Sequence, residues 1–434
     1  MLIVDSFVPW LQVFFLSMTE PSGRLAVEFV TGWLFSPGRS LGDRIRASGQ
    51  HSRSAYYRLL ASASWSIDEV SGRLLLKILE WFPQDILFLI GDDTLLARKG
   101  PKVYAAGMHR DPLLSTRTRT IKRWGHCWVV LGVGLRSRRD PTHWYCLPVM
   151  MRLYLDQRTA KNLGRPHRTK SDLMIEMVAE VERRLPQQKL HFIGDYSYTT
   201  PSSLRRLPLR VEVTGRLHRR AKFFAPPPPR TGKRGRPKVR GKRLPSPQQM
   251  WEGPTKEQRL TIAPGRKYRI RAASQVGCFY SLPDRQVKVI ALEHIGSRRE
   301  KEAFFSTVLD ASVADILQQY SQRWAIETTF HDCKQHLHIG AARSRKRASV
   351  ERAATMGFHL YSLIVLWHEV RRAATIPVRN YQGKRHPSFA DMLVTLRDES
   401  LLQNIRPQLN REPQNPANLQ KIIHYLERLL ALAA

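Results

Sequence analysis

Two short apolar runs in this chain, "DILFLIGDD" and "KLHFIGD", end alike, in an isoleucine, a glycine and an aspartate. Each is a continuous apolar stretch of strand length, the pattern of a buried β-strand rather than a half-exposed one. Buried strands need cover, which places the chain among mixed α/β folds whose sheet is flanked by helices. Each run also delivers a carboxylate, Asp92 or Asp195, at its C-terminal end, where α/β sheets carry active-site residues.

The elements around these runs agree with that class. "HCWVVLGVGL", "WYCLPVMMRLYL" and "LRVEVTG" read as further strands, and "KSDLMIEMVAEVERRL" as a helix of about four turns with Ser171 as its N-cap. Residues 1 to about 80 are helical in pattern, with a break at Pro37 and Gly38. Within them, "SLGDRIRASGQHSRSAYYRLLASASW" gives two short amphipathic pieces hinged near Gly49, with Arg53 and Arg58 in the second. That arrangement fits a helix-turn-helix whose second helix enters a major groove, and equally a small bundle with a basic surface. Residues 216–243 hold twelve Lys or Arg and no acid, around four consecutive prolines, so they form a loop rather than a packed element. Its "RGRP", with Arg234 and Arg236 followed by Lys238, has the look of a strip that slides into a narrow minor groove; a solvated loop touching phosphates is the plainer reading. Beyond it, "RLTIA", "RKYRIRAAS", "GCFYSL", "VKVIALEHI" and "AFFSTVL" read as strands. A buried helix after Gly340 and two more, "SFADMLVTLRDESLLQ" and "NLQKIIHYLERLLALAA", close the chain.

Charge selects the partner. Against 36 Asp and Glu stand 71 Lys and Arg, a formal +35 spread along all 434 residues. Such a surplus draws a protein to polyanions, and neutralising DNA phosphates releases counterions. An anionic membrane is the competing polyanion, but no apolar run is long enough to span one. The N-terminal "FVPWLQVFF" lacks the flanking features of a signal peptide. Cys127, Cys146, Cys278 and Cys333 show no metal-knuckle spacing and read as buried thiols in a reducing cytoplasm.

The third feature is "YSQRWAIETTFHDCK". Tyr320, Arg323, Glu327 and Lys334 fall at offsets 0, 3, 7 and 14. On one continuous helix those offsets share an arc of about 60°, with Ile326, Cys333 and Leu337 on another stripe. Glu327 thereby becomes a third carboxylate beside Asp92 and Asp195. Taken singly, each acid has a bland role: a turn or cap for the aspartates, an ion pair with Arg323 for Glu327. Together, three converging acids repel one another, and two hard divalent cations would resolve that cost. Mg²⁺ prefers oxygen ligands and binds phosphates readily, and a metal pair suits phosphoryl transfer.

The pattern Y-x2-R-x3-E-x6-K resembles the signature of the Tyr-Arg-Glu-Lys group of bacterial insertion-sequence transposases, which are DDE enzymes with an RNase H-like core. "GDDT" at Asp92 and "GDYSY" at Asp195 are similar to that group's first and second Asp motifs, and the "GKRGRPKVRGKR" loop and "SFADML" resemble one subgroup. The first ligand is Asp92 by the parallel with Asp195, or Asp93 by the family's use of an Asp before Thr; the parallel favours Asp92. The resemblance implies a helical N-terminal DNA-binding region (1–82), an RNase H-like core in two parts (83–214 and 301–375), a basic loop and β-rich insertion (215–300) between them, and a helical C-terminal region (376–434). It implies two Mg²⁺ ions, replaceable by Mn²⁺, on Asp92, Asp195 and Glu327. Tyr320, Arg323 and Lys334 would hold the DNA strand. The partners would be double-stranded DNA, as terminal inverted repeats and target, and a second copy of the chain in a bacterial, nucleoid-associated setting. In the family an aromatic of the insertion can stack on an extruded base; Trp251 is the candidate by position, with surface packing its plainer reading, and Trp324 reads as core. Three rivals remain: a DNA-binding relic without catalysis, a nuclease or resolvase that cuts without joining, and an RNA-binding protein, for which no aromatic sheet motif is present.

Overall fold

The computed structural model describes residues 3–409, apart from 37–39, 50, 112–113, 117, 230–237, 263–265, 297–300, 342–343, 372–374, 376–383 and 385, and also Gln420. Arg234, Arg236 and the helix expected from "NLQKIIHYLERLLALAA" therefore lie outside the described residues, Gln420 excepted.

The N-terminal region carries α1 (Val8–Phe15), α2 (Glu20–Phe35), α3 (Leu41–Ser48), α4 (Arg53–Ala61) and α5 (Ile67–Trp81). Ser40 and Asp43 form a reciprocal capping box that starts α3. Gly49, at φ 71°, ends it in a left-handed conformation that costs glycine no Cβ clash. Helix α4 follows from Arg53. This is the two-helix geometry expected around Gly49, and its buried side (Leu41, Ile45, Tyr56, Leu59, Leu60) joins the main core.

The sheet begins with β1 (Ile86–Ala97), β2 (Gly107–Arg110), β3 (Lys122–Arg136) and β4 (Trp144–Tyr154). After α6 (Gln157–Asn162) and α7 (Lys170–Arg184) come β5 (Lys189–Gly194), α8 (Pro201–Arg206) and β6 (Val211–Arg216). Their spatial order is β4-β3-β1-β5-β6, with β2 on the start of β3. The first three strands pair antiparallel; β1, β5 and β6 pair parallel. Buried on both faces, they explain the near-continuous apolar runs of the sequence. The cap of α7 is Thr169, in a capping box with Asp172, and not Ser171. Ser171 lies one turn position too far in, and its hydroxyl donates instead to the Ser197 carbonyl at 2.8 Å.

The next segment holds β7 (Phe223–Phe224), β8 (Arg243–Leu244), α9 (Pro247–Glu252), β9 (Lys256–Ile262), β10 (Arg266–Phe279) and β11 (Leu282–His294). The chain returns as β12 (Glu302–Ser306), which pairs antiparallel with β6. "RKYRIRAAS" and "GCFYSL" are thus one long strand, because pairing with β11 continues unbroken through Ser274–Gly277. These strands extend the same sheet, and they carry a second core of Ile262, Ile270, Ile290, Leu292, Phe304, Ile316 and Leu317. Next come α10 (Val313–Ser321), α11 (Trp324–Gln335), α12 (Arg347–Val370) and α13 (Phe389–Leu409). α12 is buried along most of its length, so it reads as apolar all round rather than striped.

One buried junction fastens the N-terminal helices to the core. The Arg44 guanidinium, stacked 3.5 Å from the Trp33 ring, donates to the carbonyls of Leu337 (3.1 Å) and His338 (2.8 Å), just past α11. Trp33 donates to Leu337 as well, at 2.9 Å. Burial lowers the Arg44 pKa to about 9, still charged at neutral pH. Arg44→Met keeps the bulk but strips the His338 carbonyl of this donor, and is expected to cost about 1–3 kcal/mol. Urea unfolding would show it; an unchanged midpoint would mean that the junction carries no stability.

Candidate active site

The parallel register of β1 and β5 pairs Leu89 with Phe192, Ile90 with Ile193 and Gly91 with Gly194. Asp92 and Asp195 are the next residues of each strand, so the shared Ile-Gly-Asp endings lie side by side. β5 ends there, whereas β1 runs on to Ala97 against β3. Asp92 and Asp93 are therefore mid-strand, not at a strand end as expected; only their parallel neighbour stops. The gap it leaves opens into a cleft of about 820 Å³ lined by Asp92, Asp93, Arg110, Lys170, Glu327 and Lys334 among others.

Adjacent strand residues face opposite ways, and the two aspartates have different company. Asp92 accepts from Arg323 at 2.7 Å, and the same guanidinium donates to Glu327 at 2.7 Å. Asp93 accepts from the Tyr198 hydroxyl (2.6 Å), Lys170 Nζ (2.6 Å) and the Cys127 thiol (3.4 Å). Burial opposes the Lys170 charge, but Cys127 and Asp93 outweigh it and hold the ammonium above the usual lysine range. Asp92 thus shares a partner with Glu327, while Asp93 anchors the side that carries α7.

Asp195 is close enough for its charge to act on Asp92, although it is not among the residues lining the cleft. Burial pushes the Asp92 carboxyl up to about 7; Arg323 and the Asp93 amide oppose this, and the charges of Asp195 and Asp93 add to it. Asp195 itself accepts from the Ser197 amide at 2.9 Å and hydroxyl at 3.3 Å. An all-carboxylate oxygen set with a charge it cannot comfortably hold, bridged by a guanidinium, fits a hard divalent cation in chemistry. It is not preformed for one: among the described residues no three His, Cys, Asp or Glu are grouped as metal ligands.

Residues 23–275 match the family model of the DDE superfamily endonucleases. The chain belongs to that family. No curated protein matches it. The matched stretch contains Asp92 and Asp195 and ends before the helix of Glu327. Endonucleases of this family act on DNA and are generally dependent on divalent metal.

The Tyr320–Lys334 stripe of this endonuclease does not ride on one helix. Gln322 and Arg323 separate α10 from α11, and the amides of Gln322, Arg323, Ala325 and Ile326 each bond three residues back, to Gln319, Tyr320, Gln322 and Arg323. Such 3₁₀-type bonds overwind the chain and rotate α11 relative to α10. Tyr320 accordingly packs on Phe304, ring centroids 4.6 Å apart, in the second core, although Arg323 and Asp195 are close enough to influence its hydroxyl. Lys334 lines the cleft, its pKa lowered by burial. The same joint corrects the placing of Trp324, which is 67% exposed. Trp251 is half-buried against the main core. Of the other expected DNA contacts, Arg53 and Arg58 are exposed on α4 and Lys238 is exposed in its loop. Tyr198 and Lys170 were not anticipated: Tyr198 sits inside "GDYSY", but nothing local marks Lys170. All four cysteines are buried and free, as expected. Among the described residues no helix is long and apolar enough to cross a membrane.

Folding raises Asp92 from its ordinary 3.8 to about 7, so its ionised form opposes folding. That cost is absent below about pH 4, grows through the window and is complete above about pH 7. In EDTA, Asp92→Asn is expected to raise Tm at pH 8, with the gain shrinking toward pH 4. A gain that does not vary with pH would contradict the burial of this charge.

Proposed function

We propose that the chain is a cut-and-paste DDE transposase that works as a dimer, nicks the ends of its element and joins the freed 3′-OH ends to target DNA. The observation that carries this reading is the β1–β5 register, which sets Asp92 beside Asp195 while Arg323 ties Asp92 to Glu327. Asp92, Asp195 and Glu327 would hold the cations, two Mg²⁺ with Mn²⁺ as substitute. Bound there, these ions supply an activated water and stabilise charge on the attacking and leaving oxygens.

The chain's own residues do the rest. Arg323 serves as the resident positive charge between two acids and turns to a strand phosphate when those acids are engaged. Lys334, across the cleft, gives a second fixed cation to the same backbone, where preorganised charge is worth most. Asp93 is assigned a positioning role, since its partners Tyr198 and Lys170 lie on the α7 side while Asp92 shares Arg323 with Glu327. Trp324, exposed beside Arg323, is better placed than Trp251 to stack on an unpaired base at the cut end. The basic loop around Lys238 and the α3–α4 pair supply DNA contacts outside the cleft, supported by a +35 charge.

The decisive comparison is Mg²⁺-dependent cleavage and strand transfer on DNA carrying the element's ends. Glu327→Gln and Asp92→Asn are expected to cut at background level while binding DNA as tightly as wild type or tighter. Asp93→Asn should lose only about 10–100-fold, the usual effect of a residue that orients a metal ligand. Cutting without joining would point to a nuclease or resolvase. Binding without cutting by the unaltered chain would make it a relic. Loss through Asp93 but not Asp92 would move the first ligand to Asp93.

A further inference from the structure

A second trough runs beside the cleft. Its volume is about 620 Å³, and its walls are α3 and α4 on one side and the end of β1 with the segment after α11 on the other. Ala97, Gly340 and Ala341 line both trough and cleft, so the two adjoin. Its lining includes Arg46, Arg53, Tyr57, Arg98 and Lys99, and no carboxylate among the described residues.

The cations differ in how free they are. Arg98 is committed to the frame: it donates to the Gly340 carbonyl and, at 2.9 Å, to His126 Nδ1. Arg46 is paired with Asp43. Arg53 and Lys99 have no carboxylate partner among the described residues, and Arg53 donates to the Tyr57 hydroxyl at 3.4 Å with its guanidinium 5.7 Å from the centre of that ring. A Cβ on Gly42 would stand 3.3 Å from the Arg53 guanidinium, so the glycine leaves that group room to move. Arg44 of α3 and Arg98, just past β1, both bond to the segment Leu337–Gly340, which ties the two walls together. Two uncompensated cations, one on each wall of a trough that adjoins the acidic cleft, match the two sides of a duplex backbone entering that cleft.

We infer that this trough holds the double-stranded DNA immediately flanking the scissile phosphate, with Arg53 and Lys99 on its phosphates. The inference rests on the transposase reading of the cleft. It assigns the outer face of α4 to DNA at the reaction centre, by sequence-independent contacts, rather than to a remote major groove.

The test measures the salt dependence of binding in EDTA for wild type and for Arg53→Gln/Lys99→Gln. One duplex carries an element end and stops at the scissile phosphate; a second extends about one helical turn, roughly 10 base pairs, beyond it. On the extended duplex the variant is expected to bind roughly ten-fold weaker, with a log–log salt slope shallower by about 2, near one unit per lost phosphate contact. The blunt duplex should be unaffected, and Arg53→Lys with Lys99 intact should keep the wild-type slope. Equal losses on both duplexes, or none on either, would overturn the assignment. So would the same loss on a single-stranded extension, which would deny the duplex. Both exposed positions allow folding to be checked by an unchanged Tm. Cleavage in Mg²⁺ is read separately, so a wild type that shows the flank effect yet never cuts would sink the transposase reading and not the trough.

Discussion

The pairing of β1 with β5 is the constraint on which the site depends. Parallel neighbours in register carry equivalent residues at equivalent heights, so Gly91 and Gly194 bring the following aspartates together without any direct attraction between them. Burial pushes the Asp92 carboxyl up to about 7, and the charge of Asp195 adds to that cost. The strand bonds and the apolar packing of Leu89, Ile90, Phe192 and Ile193 supply the stabilisation that the acids remove. A Cβ on Gly91 would fall 2.6 Å from the Met174 methyl group and 2.7 Å from Phe192, so helix α7 can close on this face only over a glycine.

Arg323 completes the balance from the other side of the sheet. Its two 2.7 Å hydrogen bonds set one positive charge between Asp92 and Glu327, and burial opposes that charge less than Tyr320 and these acids favour it. A guanidinium suits this role because its planar fork reaches two carboxylates together. The 3₁₀ joint before α11 is what aims the fork, turning Arg323 and Glu327 inward while Trp324 is left outside. The charge that makes the acids tolerable is thus built into the joint between two helices.

The frame around this centre is built from buried arginines rather than from apolar contact alone. Arg44 and Arg98 spend their donors on backbone carbonyls after α11, so three parts of the chain, α3, β1 and the Glu327 helix, share one set of bonds. In a chain so rich in arginine, some of the charge is structural, and the charge left for DNA is the part without such commitments.

Much of the site was legible in the residues themselves. The Ile-Gly-Asp endings, the apolar runs and the surplus of arginine stated the α/β class, two of the acids and a polyanionic partner, because burial on both faces and uncompensated charge leave a local signature. Glu327 and Arg323 could be linked by their spacing within one helical turn. What lay beyond reach was everything set by non-local geometry. Which of Asp92 and Asp93 faces Glu327 depends on the side of the sheet that α11 covers, and alternation along a strand is silent about that. A two-residue change of winding at Gln322–Arg323 leaves no trace in composition, so Trp324, expected in the core, stands exposed. Lys170 meets Asp93, and Arg53 meets the trough, only because distant segments pack together. The sequence by itself determined the chemistry available to this protein; the tertiary structure decided which of those groups share a space, since that is a property of packed surfaces and not of neighbours along the chain.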